Sequence, residues 1–287
     1  MELLNTLYDL MGLVFVLGTM ISMGLNLTLK QITEPLRDTR FVLIALAANF
    51  IIPPAAAFLL IRAFSLDEPL AVGLLLVSLA AGAPALPKTA VFAKEDTAVA
   101  TGLMVLLVVV TILVLPIALP LLLTGIEVTF WDIASGLVFL ILIPLALSLF
   151  VRARYPDVAK SNQPFFAQTS NLSLLILLVL MIVLNFNNVV ALLGSRGLLA
   201  SLILIAVSVL GGYLLGRLGG KHTWVQALGA GQRNIAAAMV VATMNFSNDE
   251  VVMIVVFSLI GLMTVTPLAM ELGKRAETAE AGTAVTS

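Results

Sequence analysis

The stretch "GAPALPKTAVF", residues 82–92, decides how this chain folds, because it interrupts a long apolar and otherwise uncharged region. Pro84 and Pro87 have no backbone N–H and clash with the preceding turn of a helix, and Gly82 adds conformational freedom. A helix through this region is therefore predicted to break near residues 82–87. Lys88 follows at once, so the stretch predicts an interrupted helix with a cation beside the interruption.

The composition of the whole chain predicts an all-α integral membrane protein. Of its 287 residues, 61% are hydrophobic and only 11% are charged, and the mean hydropathy is +1.13. Soluble domains carry about 25% charged residues. Windows of roughly 20 apolar residues, the length that crosses a bilayer, predict nine spans. They are residues 8–29, 38–63, 69–93, 96–123, 130–151, 163–186, 197–217, 221–245 and 250–272. Residues 273–287 are predicted to form a disordered tail.

The distribution of basic residues predicts the orientation, since Lys and Arg are retained on the cytoplasmic side. With the N-terminus outside, eleven of the fifteen Lys and Arg residues lie inside and only Arg62 and Arg196 lie outside. The C-terminus and residues 273–287 are then cytoplasmic. The remaining two, Lys88 and Arg233, lie within predicted spans.

Several functional classes are disfavoured by the sequence. The net charge of −1 gives no electrostatic footprint for nucleic acid, and the absence of cysteine excludes disulfides and thiolate metal sites. The single histidine, His222, falls in a predicted loop, and a metal site needs several converging ligands. No paired carboxylates, nucleophile with a base, or HExxH motif lies inside the spans. We therefore predict no enzyme activity, no cofactor and no metal site.

Arg233, the second cation within a predicted span, lies in "GAGQRNIAAAM", residues 229–239. Gly229 and Gly231 are expected to loosen the helix just before it. A basic side chain at the centre of a span costs about 2.5–3.5 kcal/mol on insertion scales. All sixteen acidic residues lie in loops, tails or span ends. Either both cations are packing residues that reach an interface or backbone carbonyls, or they face a cavity.

The two regions form a weak internal repeat. "GAPALPK" precedes an acidic pair at 95–96 and an apolar helix with Pro116 and Pro120, whereas "GAGQRN" precedes an acidic pair at 249–250 and a helix with Pro267. In the predicted topology the copies run in opposite directions, which is typical of secondary transporters. The first repeat is predicted to cover residues 1–123 with four spans, and the second 124–272 with five.

Broken helices expose unpaired N–H groups inside the membrane, and adding Lys88 and Arg233 makes this region attractive to negative charge. The predicted substrate is a small organic anion, whose carboxylate an arginine can bind through two parallel hydrogen bonds. Further candidate binding residues are polar positions that could equally serve helix packing. These are Thr89, Gln232, Asn234, Asn26 and Asn171.

Three motifs in this order, "MGLNLT" (23–28), "GAPALPK" and "GAGQRNIAAAMVVA", resemble the bile acid:sodium symporter family. The resemblance covers nearly the whole chain. It implies two inverted repeats, the first one helix short, that form a core domain with two crossing broken helices and a panel domain. It also implies a transporter of a bacterial inner membrane that works by alternating access.

The sequence departs from the family at the sodium sites. The resemblance implies a Ser-Asn pair after the first break and a Glu five residues before the Asn of the second motif. Here residues 86–88 are Leu-Pro-Lys, Gly229 takes the Glu position, and Arg233 replaces a Gln. We therefore expect Lys88 and Arg233 to stand in for the two sodium ions, with transport coupled to protons through Lys88 or uncoupled. The alternatives are a sodium-coupled anion symporter and a non-transporting membrane receptor or scaffold.

Overall fold

The computed structural model describes residues 2–34, 37–122, 129–184, 186 and 196–285, and within them all regular secondary structure is helical. The helices, in chain order, are α1 (Glu2–Asn26), α2 (Leu29–Thr33), α3 (Thr39–Phe50), α4 (Ile52–Phe64), α5 (Glu68–Leu79), α6 (Leu86–Phe92), α7 (Thr97–Leu122), α8 (Phe130–Leu137), α9 (Ile143–Arg154), α10 (Pro156–Leu184), α11 (Arg196–Gly219), α12 (Thr223–Gly231), α13 (Ile235–Asn245) and α14 (Asn248–Val285). A π-helical turn, Val138–Leu142, joins α8 to α9.

Seven helical stretches in the described part of the chain are long and apolar enough to cross a membrane, which supports an integral, multi-pass membrane protein. They are Thr6–Asn26, Thr39–Phe64, Thr97–Leu122, Phe130–Arg154, Pro156–Leu184, Arg196–Gly219 and Asp249–Thr278. The other two predicted spans, 69–93 and 221–245, are each divided into two short helices. Nine spans, two inverted repeats, and core and panel domains therefore remain predictions.

The first interruption lies at residues 80–85, between α5 and α6, slightly before the predicted position. Pro87 is inside the first turn of α6 and not in the break, because a proline at that position loses no intrahelical hydrogen bond. Gly82 has a φ of +84°, a left-handed conformation that favours glycine. A Cβ on Gly82 would also lie 2.5 Å from the backbone nitrogen of Val108. The tight approach of α7 thus requires a glycine here.

The second interruption lies at residues 232–234, between α12 and α13. Gly229 and Gly231 belong to the last turns of α12 and serve packing, which differs from the expected loosening role. A Cβ on Gly231 would overlap a methyl carbon of Val209 on α11. Gly231 thus lets α11 and α12 approach closely, whereas Gly229 faces Leu86 on α6 and Leu103 on α7.

The predicted disordered tail is wrong for residues 273–285, since α14 continues through them to Val285. Residues 273–285 include four Ala and two Glu, which favour helix, and Arg275 pairs with Glu271 one turn earlier at 2.8 Å. Lys94 also forms a salt bridge of 3.1 Å with Glu277. The tail therefore extends the last helix and contacts the end of α6.

The interrupted helices lie at the centre of the molecule, and the long helices surround them. Residues 71–83 are buried without exception, as are residues 225–231. Helix α1 packs against α9 and α10, α11 packs along α12, and α14 packs against α5. Large apolar side chains such as Leu113, Leu121 and Phe139 are exposed on the outer helices, as expected of surfaces that contact lipid.

Candidate functional site

The two interruptions meet and are hydrogen-bonded to each other. The backbone N–H of Asn234 donates to the carbonyl of Ala80 at 2.8 Å. The side-chain amide of Gln232 donates to the hydroxyl of Thr89 on α6 at 2.6 Å. Both breaks thus leave backbone groups that a continuous helix would have paired internally, and the two segments pair some of these groups with each other.

The first break is also held by α7. The Thr111 hydroxyl accepts from the N–H of Ala81 at 2.9 Å and donates to the carbonyl of Ala81 at 3.1 Å. One hydroxyl thereby satisfies both backbone groups of a residue that is fully buried. Thr111 could not be predicted from the sequence, because a threonine in an apolar helix has no signal that separates it from ordinary packing.

The second break is capped by Asn234. Its side-chain oxygen accepts from the N–H of Ala237 at 3.0 Å, which starts α13, and the residue is completely buried. Its side-chain nitrogen has no partner among the described residues. Asn234 does not line the cavity described below, so the structure gives it a capping position and not the expected substrate contact.

Arg233 is buried, and its guanidinium is enclosed by oxygens of the protein. Its Nε donates to the carbonyl of Val77 at 2.9 Å, and Nη2 donates to the carbonyls of Ser78 and Asn49. Its Nη1 donates to the side-chain oxygen of Asn49 and the carbonyl of Ala230, each at 3.3 Å. A guanidinium has five N–H donors, and all five are used. In this conformation the guanidinium therefore has no free N–H with which to bind a substrate carboxylate through the expected two parallel hydrogen bonds.

These oxygens come from the ends of three helices. Val77 and Ser78 lie in the last turn of α5, Asn49 in that of α3, and Ala230 in that of α12. The last carbonyls of a helix have no intrahelical partner and carry its negative dipole end. The guanidinium therefore neutralises three converging helix ends. Asn49 could not be predicted as a partner, because nothing in its local sequence shows that α3 ends beside the second break.

The family resemblance implies an acidic sodium ligand at the position of Gly229. The space beside Gly229 is occupied by two leucine side chains. A Cβ on Gly229 would lie 3.0 Å from a methyl carbon of Leu103 and 3.3 Å from one of Leu86. Leu86 and Leu103 are both completely buried. This location is therefore apolar and closely packed.

An open cavity of about 790 Å³ lies beside the crossing of the two breaks. It brings together most of the predicted site residues, namely Lys88, Thr89, Gln232, Asn26 and Asn171, and Arg233 borders it. Within the described residues the Lys88 ammonium, which is exposed, forms no salt bridge. The hydroxyl pair of Thr19 and Ser170, 2.5 Å apart, also lines the cavity and was not predicted.

Among the described residues no group of three or more His, Asp and Glu side chains is placed to hold a metal ion. The cavity is lined by the unpaired ammonium of Lys88, by several neutral polar groups and by an apolar wall that includes Phe15, Met104 and Phe257. Such a site can bind an amphipathic or small organic anion.

Spanning helices around a central pair of interrupted, hydrogen-bonded segments, with an open cavity beside them, define the class of membrane transporters. Comparison with family models agrees: the model of the sodium bile acid symporter family matches residues 11–192, which is more than half of the chain. The chain belongs to the sodium bile acid symporter family. The matched region includes the first break and ends before the second. Curated protein sequences contain no match to this chain.

Proposed function

We propose that this protein transports a small organic anion by alternating access and does so without sodium. The single observation that carries the proposal is the difference between the two cations at the breaks: Arg233 is buried, and Lys88 is exposed to the cavity. The guanidinium of Arg233 has all its donors bonded to the protein, whereas the ammonium of Lys88 lies unpaired in the cavity. One cation belongs to the framework, and the other is available to a ligand.

Lys88 is the proposed contact for the negative group of the substrate. A lysine ammonium has three donors and no acceptor, so its preferred partner is an anion. Gln232 and Thr89 line the same wall and are hydrogen-bonded to each other, and they supply neutral contacts beside it. This arrangement also joins the substrate contact to both interrupted helices.

Arg233 is the proposed replacement for a sodium ion. Five oxygens around one positive group resemble the environment that a hard metal cation prefers. A sodium ion at this location would meet a fixed positive charge, and its five oxygens are already bonded. The charge that binding of sodium would bring is therefore permanent in this protein.

Lys88 is not needed as a replacement for the other sodium ion. At the positions where the family resemblance implies a Ser and a Glu, Leu86 packs beside Gly229, and leucine side chains offer no oxygen to a cation. The proposal therefore revises the expected role of Lys88 from a substituted ion to a substrate contact.

Two measurements test the proposed function: the melting temperature of the protein in the presence of organic anions, and the uptake of a binding anion into vesicles. Purified protein is heated in the presence of monocarboxylates, keto acids and sulfonates, and any anion that raises the melting temperature is a candidate substrate. Uptake of that anion into vesicles is then measured in choline buffer free of sodium, with and without an inward proton gradient. Uptake in choline supports the proposal, and a response to the gradient indicates coupling to protons. Binding without uptake or exchange would overturn transport, and strict sodium dependence would overturn the role of Arg233.

A further inference from the structure

A second cavity, separate from the one beside the breaks, opens at the side that the charge distribution predicts to face the cytoplasm. It measures about 540 Å³ and lies where α6 ends and α12 begins. Its walls share no residue with the first cavity. The lining residues are Glu95, Tyr213, Arg217, His222, Thr223 and Trp224.

The cavity holds opposite charges that are not paired with each other. Neither the carboxylate of Glu95 nor the guanidinium of Arg217 takes part in a salt bridge within the described part of the chain. Burial raises the pKa of the Glu95 carboxyl, and the nearby His222 opposes this shift. A half-buried carboxylate that forms no salt bridge is costly, and a bound ammonium would reduce that cost.

An apolar stripe runs along α11 to the edge of this cavity. Leu210, Leu214 and Leu218 are 56%, 53% and 65% exposed. Tyr213 and Arg217 each lie three residues after one of these leucines, so they neighbour the stripe on the helix surface. The ring of Tyr213 contacts that of Trp224, with 4.6 Å between centroids. Tyrosine and tryptophan are enriched at the level of lipid headgroups.

We propose that this second cavity binds a phospholipid with an ethanolamine headgroup. Arg217 and His222 receive the phosphate, Glu95 receives the primary ammonium, and an acyl chain lies along the leucine stripe. A lipid with only negative charge offers nothing to Glu95, and the quaternary ammonium of choline has no N–H to donate to it. Basic pockets between helices on the cytoplasmic side are known lipid headgroup sites in general. This site does not depend on the proposed anion transport.

Lipid adducts of the purified full-length protein, counted by native mass spectrometry, test the proposal. Phosphatidylethanolamine, phosphatidylcholine and phosphatidylglycerol with identical acyl chains are compared. We expect phosphatidylethanolamine to bind about tenfold more tightly than phosphatidylcholine, the effect of one charge-assisted hydrogen bond. Glu95→Gln should abolish this preference, and Arg217→Gln should weaken binding of all three lipids. Arg154→Gln, at an exposed arginine outside the cavity, should change neither.

Binding of phosphatidylcholine by Glu95→Gln serves as the folding control, because that lipid does not use the carboxylate. Free phosphoethanolamine is added as a competitor to separate the lipid from a soluble ligand. Displacement of bound phosphatidylethanolamine by the free headgroup supports recognition of the headgroup. Equal binding of the three lipids by the wild-type protein, an unchanged preference in Glu95→Gln, or binding of phosphoethanolamine without binding of the lipid would overturn the proposal.

Discussion

The backbone N–H of Asn234 donates to the carbonyl of Ala80 over 2.8 Å, which ties one interrupted helix pair to the other at the points where both are broken. Both residues are completely buried. A displacement of either break must therefore stretch this bond or carry the other break with it. We expect a motion that changes access to the cavity to move the two breaks as one unit.

Thr111→Val should destabilise the first break. The substitution keeps the shape but removes the hydroxyl that pairs with both backbone groups of Ala81. The N–H of Ala81 keeps its hydrogen bond of 3.1 Å to the carbonyl of Leu79, so the substitution leaves the Ala81 carbonyl unpaired. A buried group left unpaired costs about 1–3 kcal/mol, and we expect the free energy of unfolding to fall by about that amount. Thr111→Ser keeps the hydroxyl and is the control. Equal loss of stability in both variants, measured by chemical denaturation in detergent, would contradict the assigned hydrogen bonds.

Gly229→Glu should be strongly destabilising, because the new side chain would meet the methyl groups of Leu86 and Leu103. Burying a carboxylate among leucines without a partner is expected to cost about 3 kcal/mol or more. Adding Leu86→Ser to Gly229→Glu makes room and supplies a hydroxyl, so the double variant should recover roughly 1 kcal/mol relative to the sum of the single changes. Strict additivity would show that the two positions do not pack together.

Gly273→Ala should destabilise the contact between the end of α14 and the end of α6. A Cβ on Gly273 would lie next to the carbonyl oxygen of Phe92, which as backbone cannot easily move. We expect a loss of roughly 1–3 kcal/mol, the range for overpacking. Gly261→Ala in the same helix is the matched control, because a Cβ there meets nothing within 4 Å. Alanine at 261 should raise stability by roughly 0.5–1 kcal/mol. A neutral or stabilising effect at 273 would contradict the contact.

Lys88→Ala should weaken binding of an anion by roughly tenfold or more, since a hydrogen bond to a charged group contributes about 1.5–3 kcal/mol. Lys88→Arg retains the charge and should retain part of the affinity. Lys94→Ala is the control, because Lys94 lies on the surface and pairs with Glu277. The measurement is the dissociation constant of an anion found in the thermal-shift screen. An unchanged constant in Lys88→Ala would remove Lys88 from the site.

The positions of both breaks could be predicted from the sequence to within a few residues. Pro84 and Gly82 in the first stretch, and Gly231 in the second, are local signals for the end of a helix, and local signals need no knowledge of the fold. Lys88, Thr89 and Gln232 were predicted beside the breaks for the same reason. They do line one cavity.

The hydrogen-bond partners of Arg233 could not be predicted, because they depend on where other helices end. Its partners Asn49 and Val77 lie more than 150 residues earlier in the chain. A buried arginine that binds a ligand and one that binds carbonyl oxygens have the same local sequence. The helical continuation after residue 272 was missed for another reason: low hydropathy identifies the end of a span, and it does not identify the end of a helix.

The central claim is that the guanidinium of Arg233 does what a sodium ion would do, and sodium-dependent stability tests it most directly. The melting temperatures of the wild-type protein and Arg233→Gln are measured across sodium concentrations, with choline keeping the ionic strength constant. We predict that sodium leaves the wild-type value unchanged. Arg233→Gln should melt at a lower temperature and should recover part of the loss as sodium saturates the vacated oxygens. A saturable, sodium-specific rise in the wild-type melting temperature would contradict the account.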